Sequence, residues 1–196
     1  IRHTVMIPES ADDSLEEQER EYHDVYGKSA GRSSRMTELK IETLLTLDGG
    51  EKGINVKTTV ENHAKNHRVR AVYETNLEAE THFADAAFEV VERNNRHSKF
   101  WENPCGCDRQ QSFVALKDKT DGLLIANRGL YEYEIIPYQK NAIAVTLLRS
   151  VGEMGDWGYF PAPKAQMIGT WTAEYKIIPF ETEEFDRACV LGYQYQ

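Results

Sequence analysis

The sequence lacks the marks of several large protein classes. Three cysteines in 196 residues are too few, and odd in number, for a disulfide framework, and they suit a reducing cytoplasm. No apolar run approaches the roughly 20 residues that cross a bilayer as a helix, which excludes a spanning segment of that kind. No basic-then-apolar leader follows Ile1, and a chain that starts on Ile rather than Met reads as processed or as a piece of a longer protein. Basic charge is scarce, with 23 Lys and Arg against 32 Asp and Glu and a net charge of -9. Without a basic stripe to displace counterions, nucleic acid is excluded as a partner. There is no Gly-x-Ser-x-Gly elbow and no glycine-rich phosphate loop, so serine-hydrolase and nucleotide chemistry have no support.

What is present is alternation. Thr37, Leu39, Ile41, Thr43, Leu45 and Leu47 share one face of a strand, Asp48-Gly49-Gly50 supplies a turn, and Ile54, Val56, Thr58 and Val60 alternate again. This pattern predicts a long β-hairpin. Val69, Ala71 and Tyr73 continue as a third strand. Further strands are expected at 87–92, 112–117, 122–127, 131–136, 142–150 and 168–178. Short turns leave no room for the crossovers a parallel sheet needs. The fold class is therefore all-β, an antiparallel β-sandwich of about eight or nine strands. Ahead of it, residues 1–35 read as a flexible segment. It is acidic from Glu9 to Asp24, where Arg20 is the only opposing arginine or lysine, and Gly/Ser-rich from Gly27 to Ser34. Residues 36–180 form the sandwich, and 181–196 a C-terminal extension.

Few residues offer chemistry. Cys105 and Cys107 form a Cys-x-Cys pair, but a closed zinc site needs four ligands and nothing nearby completes the set, so a loop is the simpler reading. His82, Asp85, Glu89, Glu92 and Arg93 make the densest polar group. They could serve as acid and base; alternatively Phe88, Val90 and Val91 are core, and Glu92 and Arg93 pair at a strand end. Trp157, Tyr159 and Phe160 lie in a Gly/Pro-rich loop, where rings either stack on sugar faces or pin the loop to the sandwich.

Several segments resemble the C-terminal β region of bacterial α-mannosidases of glycoside hydrolase family 38. They are Gly53 to Asn62 leading into His67-Arg68-Val69-Arg70-Ala71; Thr81-His82-Phe83-Ala84-Asp85 with Val90-Val91-Glu92-Arg93; Gln111-Ser112-Phe113; Ala126-Asn127-Arg128-Gly129-Leu130 with Tyr133-Glu134; and Val145 to Gly152. They occur in the family's order between about Met36 and Phe180, and the fold so implied is supersandwich-like.

The resemblance implies a longer parent enzyme that hydrolyses α-mannosides with retention. An N-terminal catalytic domain of the same polypeptide would hold zinc through two His and two Asp and supply an Asp nucleophile. The Asn-Pro-His-x-Asp zinc motif does not occur here, so this chain is expected to carry no catalytic residue, no metal ligand and no cofactor of its own. Its expected partners are that catalytic domain and an α-mannoside substrate, in the cytoplasm, with homo-oligomerisation of the full-length enzyme left open. Leu148-Arg149-Ser150 resembles a strand end whose arginine faces the substrate in that family, which makes Arg149 the first candidate for substrate binding; alternatively it is a strand-end arginine that pairs with Glu153 or Glu134. His82, Asp85, Glu92 and Arg93 follow it, and Trp157 and Tyr159 are candidates for sugar stacking. A free-standing carbohydrate-binding module is the alternative function.

Overall fold

A computed structural model describes residues 1–11, 31–96, 106–138, 140–154 and 160–196. The acidic run from Asp12, the Cys105 position, and the stacking candidates Trp157 and Tyr159 lie outside the described residues. Fourteen strands are present among the described residues: β1 (Arg2–Pro8), β2 (Met36–Thr46), β3 (Ile54–Asn62), β4 (His67–Tyr73), β5 (Thr81–Asp85), β6 (Val90–Asn94), β7 (Cys107–Arg109), β8 (Phe113–Lys117), β9 (Asp121–Asn127), β10 (Glu132–Ile136), β11 (Ala142–Ser150), β12 (Glu153–Met154), β13 (Phe160–Pro161) and β14 (Gly169–Glu181). One α-helix, α1 (Phe185–Gln194), follows. No helix among the described residues is long and apolar enough to cross a membrane.

The strands form an eight-stranded sheet, ordered β1-β2-β3-β14-β9-β8-β5-β6, a four-stranded sheet, β4-β11-β10-β7, and the small pair β12-β13. The expected all-β antiparallel sandwich is observed. It holds more strands than expected because β1, β5, β7, β12 and β13 are too short or too exposed to show a clear period of two. By packing, the chain divides into two compact units. One comprises Ile1–Thr43, Thr59–Val69 and Leu148–Thr172; the other comprises Leu44–Thr58, Arg70–Leu147 and Ala173–Gln196.

The second unit holds the larger core. Val56, Val114, Leu116, Ile125 and Tyr175 of the eight-stranded sheet meet Tyr133, Ile135, Ile143 and Val145 of the four-stranded sheet. The alternate residues of β8 and β9 point the other way. There Phe113, Ala115, Leu124 and Ala126 meet Ala188 and Cys189 of α1, with Phe185 and Leu191 packed alongside. Strands covered on both faces need apolar residues at every position, which is why Phe113 to Leu116 reads as a continuous run. Burial pushes the Cys189 thiol up to about 11, as expected of a packing residue rather than a nucleophile. The first unit has its own smaller core of Leu39, Val60, Val69 and Leu148, joined by Ile7, Ile41 and Met167.

Three boundaries differ from the sequence reading. Residues 1–35 were expected to be one flexible segment, but Arg2–Pro8 is a strand, pairing antiparallel with β2 so that Val5 faces Leu39 and Ile7 faces Thr37. The extension after 180 contains α1, whose inward residues close the outer face of β8 and β9. The single strand expected over 87–92 is instead the far end of a hairpin, with β5 against β6 and Asp85 opposite Val90. Phe88, expected in the core, sits exposed in the connecting loop.

Candidate functional site

In the first unit, Arg149 lies near the end of β11, exposed between Leu148 and Ser150, which are 2% and 1% exposed. Alternation along the strand drives this arrangement: two inward residues anchor the backbone and the guanidinium projects outward. The anchoring is extensive. The Ser150 hydroxyl donates to Gln166 Oε1 at 2.8 Å and accepts the Met167 backbone N–H at 3.1 Å. Gln166 Oε1 also accepts the Asn66 N–H at 3.0 Å, and Gln166 Nε2 donates back to Asn66 Oδ1 at 2.5 Å. Arg32 Nη1 donates to the Asn66 carbonyl at 2.6 Å. Beyond the strand, Val151 N–H reaches the Ala165 carbonyl at 3.0 Å, and the Gly152 carbonyl accepts from Ala162 N–H at 2.7 Å. Gly152 fits because a Cβ there would stand 2.6 Å from Gln166 Nε2. Arg149 thus rides on a strand end fixed by part-buried side-chain bonds, the kind of support a binding residue needs. Next to Asn66, both ring nitrogens of His67 are buried without a hydrogen-bond partner among the described residues, and that burial, together with the Arg32 charge, lowers its pKa.

The second unit gathers His82 and Arg93, opposite each other on β5 and β6, around Tyr133 of β10. His82 is 1% exposed. Its Nδ1 lies 2.9 Å from Asn95 Oδ1 and its Nε2 2.7 Å from the Tyr133 hydroxyl. Asn95 Nδ2 donates to the Ala79 carbonyl at 2.8 Å, so Asn95 Oδ1 is the acceptor and His82 Nδ1 carries the proton. Nε2 shares the hydrogen bond with the Tyr133 hydroxyl, and the Asp108 carboxylate stands 3.9 Å from the same nitrogen. Arg93 Nη1 in turn donates to the Tyr133 hydroxyl at 2.8 Å and to the Arg109 carbonyl at 2.7 Å. Burial raises the Tyr133 phenol well above its ordinary value despite Arg93 beside it. These bonds link side chains of β5, β6 and β10 and pin the three strands together.

The other candidates stand apart from that relay. Asp85, 3% exposed, accepts the Ser112 backbone N–H at 2.9 Å and the Tyr193 hydroxyl at 3.0 Å, which ties the C-terminal helix to β5. Burial and this bond push the Tyr193 phenol up to about 12. Glu92 is exposed and accepts from Thr81 Oγ1 at 2.7 Å instead of pairing with Arg93. Glu134 is ion-paired with Arg70. Sequence reasoning missed Asn66, Gln166, Asn95 and Tyr133, polar partners that lie up to 100 residues from the groups they hold.

These features define an antiparallel sandwich with an exposed arginine on an anchored strand end in the first unit and a His82–Tyr133–Arg93 relay in the second. A family model for the glycosyl hydrolases family 38 C-terminal domain matches residues 10–156, and the chain belongs to that family. A Halalkalibacterium halodurans protein named "Putative mannosylglycerate hydrolase" is 41% identical over 179 residues, covering 91% of this chain and 20% of that protein. The crystal structure of an alpha-mannosidase from Enterococcus faecalis V583 superposes with a TM-score of 0.90 at 39% identity, over 98% of this chain and 22% of that one. A second Enterococcus faecalis structure, of a protein in glycosyl hydrolase family 38, gives 0.86 at 37% identity over the same shares. The chain spans about a fifth of the length of these relatives.

Proposed function

We propose that this chain is the non-catalytic C-terminal β region of a zinc-dependent, retaining α-mannosidase-like hydrolase. It packs on the catalytic domain of the same polypeptide and lends Arg149 to the wall of the substrate site. The observation that supports this reading is the family match over residues 10–156, joined to the fact that the chain covers only 20–22% of each relative. The substrate class is an α-linked mannoside, with mannosylglycerate within it by analogy to the relative so named.

Zinc and the nucleophile belong, in this reading, to the catalytic domain. Among the described residues no group of three or more His, Cys, Asp or Glu is placed to hold a metal ion, so these residues do not fit a zinc site and no step is routed through one. What the chain does supply is Arg149, whose planar fork matches vicinal hydroxyls or a phosphate. Within the second unit, His82, Asp85, Glu92 and Arg93 fix the β5–β6 hairpin and the helix. Hydrolysis of a chromogenic α-mannoside by the isolated chain with added zinc tests the reading. The expected result is no turnover above the protein-free control; zinc-dependent turnover by the chain alone would overturn it.

A further inference from the structure

The loop joining β5 to β6 has a feature that packing within this chain does not explain. Phe88 is 106% exposed and its backbone has φ +80°. Among the described residues, Asn66, Asn76, Lys140 and Asn141 also take positive φ without being glycine. Three of those are asparagines, which tolerate the conformation; a bulky aromatic does not. Phe88 therefore carries two unfavourable features at once, a strained backbone and a solvated aromatic ring.

The tip is firmly presented. Ala86 N–H donates to the Glu89 carbonyl at 2.9 Å and closes the loop. Asp85, just before it, is buried and held by Ser112 and Tyr193. Tyr193 itself is 44% exposed, and Val190 on the preceding turn of α1 is 52% exposed, so the two share a helix face. Asp85 thus anchors both the aromatic tip and the helix that carries this apolar pair.

We propose that the Phe88 tip is a docking plug that inserts into an apolar recess on the remainder of the same polypeptide, with Val190 and Tyr193 at its rim. This rests on the reading of the chain as part of a longer hydrolase. Burial of the ring offsets the cost of the strained loop, a balance that the fully exposed ring does not find among the described residues. The occupant is the same polypeptide rather than a second copy. The relatives carry nearly four-fifths of their length outside the matched region, and a covalently attached surface meets the tip at high effective concentration in every molecule.

Hydroxyl-radical footprinting of the full-length protein, read by mass spectrometry, tests docking whether or not the protein hydrolyses mannosides. Phe88 should be oxidised about tenfold more slowly in the native protein than in urea, because a docked anchor is screened from solvent. That protection should not change on dilution. Oxidation at the unfolded rate would overturn the proposal, and so would protection that disappears on dilution. Phe88→Gly, which relaxes the backbone and cannot fail to fold through strain, gives the second reading. A free tip leaves the thermal midpoint unchanged or raises it, and either result overturns the proposal. A docked tip lowers the midpoint by about 1–2 °C, a small shift because the relatives are roughly five times the length of this chain.

Discussion

Replacing His82 with alanine is expected to destabilise the second unit by about 3–5 kcal/mol, without any change in chemistry at a substrate. Two losses add. A side chain only 1% exposed leaves a cavity. The Tyr133 hydroxyl and Asn95 Oδ1, bonded to the ring at 2.7 and 2.9 Å, are left buried with a missing partner. For a chain of 196 residues, 1 kcal/mol corresponds to about 2–4 °C in Tm, so the midpoint should fall by roughly 10 °C. Tyr133→Phe removes only the hydroxyl shared by His82 and Arg93 and should cost about 1–3 kcal/mol. Since both changes strike one network, the double variant should cost less than their sum. Thermal or urea unfolding checks this. If His82→Ala left the midpoint unmoved and raised only KM, His82 would be a ligand-facing residue instead of a pin.

Gly53→Ala is the second large effect, expected at about 2–4 kcal/mol from backbone strain and overpacking. Gly53 opens β3 with φ +98°, and a Cβ there would stand 2.6 Å from the Ile177 carbonyl oxygen and 3.0 Å from Ile178 Cγ1. The first contact is with the backbone of β14, so no rotamer change relieves it, and the left-handed conformation adds its own penalty. Gly49 is the matched control, because nothing lies within 4 Å of a Cβ there and its φ is not positive. Gly49→Ala should be close to neutral. Equal unfolding midpoints for the two variants would contradict the packing of β3 against β14.

Much of the sandwich was legible because its strands alternate. β2 and β3 were readable from Thr37 to Val60, and β11 was placed from Ala142 to Ser150 as observed. The elements that escaped lack that signal. β1 is short and exposed over most of its length, and α1 has only ten residues. The loop at Phe88 looked like core because Phe, Val and Val stand nearly together; only the Asp85–Val90 pairing shows that the chain reverses there.

The candidate site divided in the same way. Arg149 stood out through family resemblance, and alternation alone places it outward. The groups that fix it, Gln166 and Asn66, are hydrogen-bonded across 100 residues, and no local pattern signals such a pair. His82 and Tyr133 meet across 51 residues for the same reason. Chemistry-bearing residue types were therefore visible in the sequence, whereas their partners, which decide between pin and ligand, were set by strand pairing.

In the function proposed above, this region contributes to hydrolysis by lending Arg149 to the substrate site. Steady-state kinetics of the full-length enzyme and its Arg149→Ala variant on an α-mannoside test it most directly, with unfolding midpoints measured alongside. Loss of a charged hydrogen-bond donor predicts kcat/KM lower by about 10- to 100-fold. The midpoint should fall by no more than about 2–4 °C, since the interactions of an exposed side chain are worth about 0–1 kcal/mol. An unchanged kcat/KM would contradict the claim.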